Sequence, residues 1–174
     1  MVRSKGKKLK GTAMAKNKTL ADELRDYSAM FIALKDLVED VPEEMLTKRP
    51  QPDKWSIREL VNHVVDAELN FTVRMMRIIA EKNPVLNAYD QDQWAKNLYY
   101  NERDLKESLL LFGLLHSTMT GILGKLPQSA WTRTGKHEEK GNMTLRDILK
   151  YSNDHCKHHL AQIVAAKMNL EKNS

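Results

Sequence analysis

Three of the six histidines in this chain of 174 residues stand close together near its C-terminus, at positions 155, 158 and 159. Residues four apart in an α-helix lie on one face, a turn from each other, so His155 and His159 are spaced to bind one metal ion. The helical angles place this pair on the apolar side of the segment and His158 nearer to solvent. The spacing therefore predicts two imidazole ligands with His158 in a flanking position.

A third ligand must come from another element, since catalytic metal sites usually have three protein ligands and an open position. His63 lies at the edge of an apolar stripe, just over one turn after the capping pattern Ser56–Glu59 of a predicted helix, where it could face the pair. His116 is the competing candidate, but its place between Phe112 and Met119 is more typical of a core histidine. His137 lies in a charged segment, where we expect it to be solvated.

Acidic and thiol side chains near these histidines could tune the chemistry. Glu68 falls almost on the apolar stripe of its helix, where a carboxylate needs a partner, and we predict it as a catalytic residue. Asp66 and Asp154 could orient imidazoles as hydrogen-bond acceptors, or they could be surface charges. Cys156 points into the apolar side, so we expect it to pack rather than to react.

Four amphipathic helices are predicted to position these residues. The predicted helices run from Thr19 to Val38, from Ser56 to before Pro84, from Glu102 to Lys125 and from Thr144 to Met168. The second and fourth begin with the capping patterns Ser56–Glu59 and Thr144–Asp147. No segment shows convincing strand alternation. The pattern predicts an all-α fold, a four-helix bundle with a metal site between its second and fourth helices.

The segments that connect the helices are expected to be loops. Residues 42–52 form a loop with a short turn, and residues 84–100 are irregular and rich in aromatic and amide groups. A third loop covers residues 127–142. Tyr89, Trp94 and Trp131 could roof the metal and shape a pocket for an apolar electrophile, or they could simply pack within the loops.

Charge is distributed unevenly along the chain. Residues 1–18 hold seven basic and no acidic residues, and the 21 basic residues that remain are outnumbered by 23 acidic ones. We interpret residues 1–18 as a disordered tail, native or vector-derived, and residues 19–170 as one domain. Short basic tails do not bind nucleic acids sequence-specifically, so no specific nucleic-acid partner is expected.

Composition also bears on the cellular location. The single cysteine excludes an internal disulfide and favours a reducing compartment, so we expect a cytoplasmic protein. The longest apolar run has seven residues, far short of a membrane span, and no membrane association is expected.

Two separated motifs resemble a known family. The segment from Trp55 to Asp66 reads WSIRELVNHVVD, and it resembles the second-helix signature of the DinB-like superfamily, especially its bacillithiol-transferase branch. Residues 141–149, followed by His155 to Ile163, are similar to the closing signature of that branch, which ends in HxxHHxxQI. The resemblance extends over about residues 20–168, and two motifs in the right order are more specific than either alone.

The resemblance implies a four-helix bundle with a divalent metal, commonly nickel or zinc, held by three histidines. Carried over by motif, these are His63, His155 and His159. The resemblance also implies a homodimer. One residue departs from the pattern, because Asn62 stands where the branch often has a second histidine, and this predicts altered chemistry toward the substrate.

Three functions are compatible with such a site. The first is a thiol S-transferase that conjugates a low-molecular-weight thiol, its co-substrate, to a small electrophile; the better-understood branches of the family imply it. The second is a hydrolase, in which the metal activates a water molecule. The third is a stress-related bundle that binds a metal or a small ligand without turnover.

Overall fold

A computed structural model describes residues 18–172 of the chain. Four long helices form a bundle: α1 (Leu20–Val38), α3 (Ile57–Ala80), α5 (Leu105–Leu123) and α6 (Leu145–Lys172). Two short helices, α2 (Glu43–Thr47) and α4 (Gln91–Asn97), lie in the connections. The predicted four-helix bundle is therefore confirmed. The predicted tail falls outside the described residues except for Lys18, whose side chain bonds with Asp26.

Side-chain caps set where the bundle helices begin. The hydroxyl of Ser56 accepts from the Glu59 amide at 3.1 Å, and the Glu59 carboxylate accepts from the Ser56 amide at 2.8 Å, which completes the predicted capping box. The third bundle helix begins at Leu105, three residues later than predicted. It does so because the Asp104 carboxylate caps it by accepting from the Glu107 amide at 2.9 Å.

The order of the helices around the bundle differs from their order in the chain. Helix α3 makes its main contacts with α5 and α6, and α1 packs against the same two helices. The first two bundle helices, α1 and α3, therefore lie diagonally across the core. Helices α3 and α6 are neighbours, as a metal site shared between them requires.

A small sheet lies beside the bundle, although the sequence predicted no strand. Its strands are β1 (Val85–Leu86), β2 (Thr134–His137) and β3 (Gly141–Thr144). Strand β2 pairs parallel with β1 and antiparallel with β3. The prediction of loops was wrong here because strands of two to four residues are too short to show an alternating pattern.

The connections contain further differences from the prediction. Trp131, predicted as a roof for the metal, is 4% exposed and packs in the core with Tyr27 and Leu145, so the packing alternative is confirmed for it. Within residues 18–172, no helix is long and apolar enough to cross a membrane.

Candidate metal centre

Three imidazoles converge between α3 and α6. His63 extends from α3, and His155 and His159 extend from α6 one turn apart. The Nε2 atom of His155 lies 3.1 Å from Nε2 of His63 and 3.2 Å from Nε2 of His159. His63 and His159 are buried and His155 is half-buried. The structure thus brings together the three residues that the sequence predicted as ligands, across 92 positions of the chain.

The distances between these nitrogens fit one metal ion better than they fit hydrogen bonds. Two imidazoles bound to one ion at about 2.0–2.1 Å have nitrogens about 2.8–3.4 Å apart for angles between 90° and the tetrahedral value. A neutral imidazole nitrogen carries either one hydrogen or one lone pair, so Nε2 of His155 cannot form good hydrogen bonds with both neighbours. Three imidazole nitrogens that all lie within 4.8 Å of one another form a donor set suited to a divalent ion.

Burial keeps the three imidazoles in the protonation state that a metal requires. Loss of solvent, together with a smaller effect of the neighbouring imidazoles, lowers the pKa of His63 and of His155 to about 3. Burial also lowers the pKa of His159. Because a ligand must offer an unprotonated nitrogen, the site is ready for a cation at neutral pH.

Gln162 orients one of the three imidazoles, a role that the sequence analysis missed. Its Oε1 lies 2.8 Å from Nδ1 of His159, and its Nε2 lies 3.0 Å from Nε2 of His158. An amide oxygen only accepts, so Nδ1 of His159 carries the hydrogen and its Nε2 keeps the lone pair for the metal. The available signal was the spacing of three and four residues from these histidines on one helix.

The two aspartates considered as orienting groups bond elsewhere. Asp66 is buried and accepts two hydrogen bonds from Arg103, at 2.8 and 2.9 Å. Asp154 is exposed and forms an ion pair with Lys150 at 2.5 Å. The interpretation as a surface charge is thus confirmed for Asp154, while Asp66 is neither a surface charge nor bonded to an imidazole.

Glu68 lies in a separate polar cluster within the bundle core. Its carboxylate accepts hydrogen bonds from the hydroxyls of Tyr27 and Ser152, and Nε2 of His116 lies 3.7 Å from its Oε2. Burial raises the pKa of the Glu68 carboxyl to about 7. A catalytic role for this residue stays a prediction.

Two other side chains occupy the core as predicted. Nδ1 of His116 donates to the Tyr27 carbonyl at 3.0 Å, and His116 is 3% exposed, so it is a core histidine. Cys156 is also buried, and burial raises the pKa of its thiol to about 12. A thiol in this state packs and does not act as a nucleophile at neutral pH.

Two cavities meet at His155. The large cavity has a volume of about 670 Å³, and its lining includes Trp55, His159 and Gln162. The polar cavity has a volume of about 260 Å³, and its lining includes Arg74, Tyr89, His137, Lys140 and Tyr151. His155 lines both cavities. The candidate metal centre therefore borders both cavities through His155.

The aromatic loop residues contribute unequally to these walls. Tyr89 lines the polar cavity, and Trp94 packs against its ring with the two centroids 4.6 Å apart.

The expectation that His137 is solvated was wrong, because this residue is 3% exposed. Its segment is not a loop but strand β2, on which Gly135 and His137 alternate inward.

Asn62, the departure from the family pattern, faces the core rather than a substrate. It is fully buried, its amide donates to the Tyr100 carbonyl at 2.8 Å, and its Oδ1 accepts from the Ser108 hydroxyl at 2.6 Å. Asn62 therefore ties α3 to α5.

The fold and the site together define a helical bundle with three histidines converging between two of its helices. The family model of the DinB superfamily matches residues 28–163, and the chain belongs to this superfamily. A protein from Oceanobacillus iheyensis named "Putative metal-dependent hydrolase" is 33% identical over 132 residues, which cover 76% of each chain. A protein of the same description from Halalkalibacterium halodurans is 30% identical, over 82% of this chain and 83% of its own.

Solved structures share the fold. YfiT from Bacillus subtilis, described as "a probable metal-dependent hydrolase with an unusual four-helix bundle topology", superposes with a TM-score of 0.82. It is 23% identical, and the match covers 91% of this chain and 93% of YfiT. A mycothiol-dependent maleylpyruvate isomerase superposes with a TM-score of 0.68 at 11% identity, over 84% of this chain and 61% of the isomerase. At these identities the likeness establishes the fold alone.

Proposed function

We propose that His63, His155 and His159 hold a divalent metal ion, zinc or nickel, and that the protein joins a low-molecular-weight thiol to a small electrophile. The convergence of three Nε2 atoms supports the metal site. The names of the curated relatives, which call them metal-dependent, support it as well.

The observation that carries the thiol-transfer proposal is the meeting of two cavities at His155. A reaction between two organic molecules requires space for both beside one reactive centre, whereas hydrolysis requires space for one substrate and a water molecule. The polar cavity and the large cavity provide two such spaces. Holding two reactants in contact removes much of the entropic cost of their encounter.

The reaction is a substitution at the electrophilic carbon. The thiol gives its proton to solvent, its sulfur forms a bond to the carbon, and the leaving group departs with the electron pair of its own bond. When bound, the ion supplies a positive charge that favours the thiolate over the thiol. The chain holds that charge in place through its three imidazoles, and Gln162 fixes the ring of His159.

Loading the purified protein with zinc or nickel and following the loss of a model electrophile tests this proposal. We expect consumption that requires an added thiol, that is lost with a chelator, and that is lost in His159→Ala. His158→Ala removes an imidazole that lies outside the three but lines the large cavity, and it should keep the metal content of wild type. The transferase proposal would be contradicted if the electrophile were consumed at the same rate with and without the thiol.

A hydrolase is the second candidate, favoured by the names of the curated relatives. In that case the same assay shows metal-dependent consumption of a hydrolysable ester or amide without any thiol. If the metal-loaded protein binds metal stoichiometrically but consumes neither kind of substrate, the non-catalytic alternative is supported. The homodimer and the cytoplasmic location stay predictions.

A further inference from the structure

Arg74 is a buried cation that forms no ion pair with any carboxylate of residues 18–172. Its side chain on α3 is 6% exposed, and its Nη2 donates to the carbonyl of Asn87 at 2.5 Å. Among residues 18–172, no carboxylate lies within ion-pair distance of its guanidinium. Burial disfavours the charged form and lowers the pKa of Arg74, and the carboxylates of Glu138 and Glu139, which lie beyond ion-pair distance, offset this only in part. The guanidinium lines the polar cavity, so an anion that enters the cavity would offset this cost.

Two further donors line the same cavity. His137 is 3% exposed, and its Nδ1 accepts from the Glu139 amide at 3.2 Å, so the hydrogen of its neutral ring is on Nε2. The ammonium of Lys140 lies 4.8 Å from the ring centroid of Tyr151, which holds this long side chain over the cavity. Arg74, His137 and Lys140 approach from α3, β2 and the hairpin turn, so the donors come from three different elements.

The acidic residue of the cavity restricts the kind of anion. Glu139 also lines the polar cavity and offsets one of the two positive charges of Arg74 and Lys140, so the lining has a net charge of +1, which a monoanion neutralises. A carboxylate carries a single charge and two oxygens that match the planar fork of a guanidinium. The lining therefore favours a carboxylate over a phosphate.

We propose that the polar cavity binds the carboxylate group of one of the two reactants and thereby places that reactant beside the metal centre at His155. Arg74 binds the carboxylate oxygens, and His137 and Lys140 complete the subsite. This inference rests on the proposed function for its role in the reaction, but the binding of a carboxylate can be measured without turnover.

Calorimetric titration of the metal-loaded protein with butyrate, and with butyramide as its neutral analogue, tests the subsite directly. We expect butyrate to bind and butyramide to bind more weakly, and Arg74→Gln to weaken butyrate binding at least about tenfold. Arg25→Gln, which removes the same charge from an exposed position of α1 outside both cavities, should leave butyrate binding unchanged. Metal content measured on every variant separates loss of the subsite from loss of the metal centre.

A second pair of variants tests the subsite independently, in case Arg74→Gln does not fold. Lys140→Gln is an exposed substitution at the cavity and should weaken butyrate binding severalfold, while Lys136→Gln on the neighbouring strand should not. The inference is overturned if the wild-type protein does not bind butyrate, or if Arg74→Gln and Lys140→Gln bind it as well as wild type does. Thiol-dependent consumption of neutral reactants would persist in that case, so the proposed function can survive the loss of this inference.

Kinetics identify which reactant carries the carboxylate. For the thiol, 3-mercaptopropionate is compared with 3-mercapto-1-propanol; for the electrophile, 4-(bromomethyl)benzoate is compared with its amide. We expect Arg74→Gln to raise KM for the carboxylate form of one reactant and not for its neutral partner. If Arg74→Gln changed KM equally for the charged and neutral forms of both reactants, the subsite would have no role in positioning a reactant.

Discussion

The imidazole of His159 owes its orientation to a single amide. Gln162→Leu removes the acceptor that fixes the tautomer and the ring angle of His159 while keeping a side chain of similar size. We expect metal affinity to fall by about tenfold, because outer partners of a ligand typically contribute that much or more. Competition with a chelator of known affinity measures the change.

A conservative variant separates orientation from packing at this position. Gln162→Glu keeps an oxygen acceptor for Nδ1 of His159 and should retain the wild-type affinity or exceed it. Equal affinities for Gln162→Leu and Gln162→Glu would show that the hydrogen bond does not matter to the metal.

Glu68 should make the stability of the protein depend on pH. Burial raises the pKa of its carboxyl to about 7 from an ordinary value of 4.5. Between these values the folded protein binds more protons at this site than the unfolded chain, so the free energy of unfolding falls as the pH rises. Glu68→Gln keeps a neutral group at this position. We expect the free energy of unfolding of wild type, relative to that of Glu68→Gln, to fall by about 3 kcal/mol from pH 4.5 to pH 7.

Urea unfolding of both proteins in metal-free buffer across that range measures the shift, and comparison with the variant cancels the contributions of the histidines. The raised pKa would be contradicted if the free energy of unfolding of wild type, relative to that of the variant, stayed constant or rose with pH. Metal content and turnover of the same variant test the predicted catalytic role. A loss of turnover with metal content intact would support it.

At the scale of the elements, the close contact between β1 and β2 holds the wall of the polar cavity. A Cβ atom on Gly135 would lie 2.9 Å from Cγ of Leu86, closer than packed side chains allow. Strand β1 leads into the segment whose Asn87 carbonyl binds Arg74. We expect Gly135→Ala to push β1 away, to lower the free energy of unfolding by about 1–3 kcal/mol and to weaken butyrate binding.

Gly121→Ala on α5 is the matched control, because no atom of residues 18–172 lies within 4 Å of a Cβ atom placed there. This substitution should be neutral or stabilising by up to about 1 kcal/mol, since alanine favours a helix more than glycine does. Equal effects of the two substitutions in urea unfolding would show that the strands do not depend on the contact with Leu86.

The elements also show which parts of the structure a sequence reveals. The helices and the His155–His159 pair were predictable because apolar periodicity and capping residues are local signals. The short strands were not predictable, and the burial of His137 on β2 was missed with them. Arg74 was missed for a different reason: charged residues on helices are usually exposed, and only the packing of the loop and hairpin over α3 buries this one.

At the scale of the whole molecule, the candidate metal centre joins two long helices that are distant in the chain. His63 lies on α3 and the other two imidazoles lie on α6, 92 or more residues later. A metal that binds only when these helices are packed together stabilises the fold by mass action. Without the metal, α3 and α6 are held together by their apolar contacts and by the polar core around Glu68 and Ser152.

Metal binding should therefore be visible in the stability of the entire domain. At a free metal concentration one hundred times the dissociation constant, we expect the free energy of unfolding to rise by about 2.7 kcal/mol. His159→Ala should lose most of this increment, whatever its stability without metal, and His158→Ala should keep most of it. Thermal and urea unfolding with and without zinc or nickel measure the increment. An increment of equal size in His159→Ala and in wild type would mean that the stabilising metal binds elsewhere. At the candidate centre, the loss of one of three ligands should weaken binding by the two imidazoles that remain.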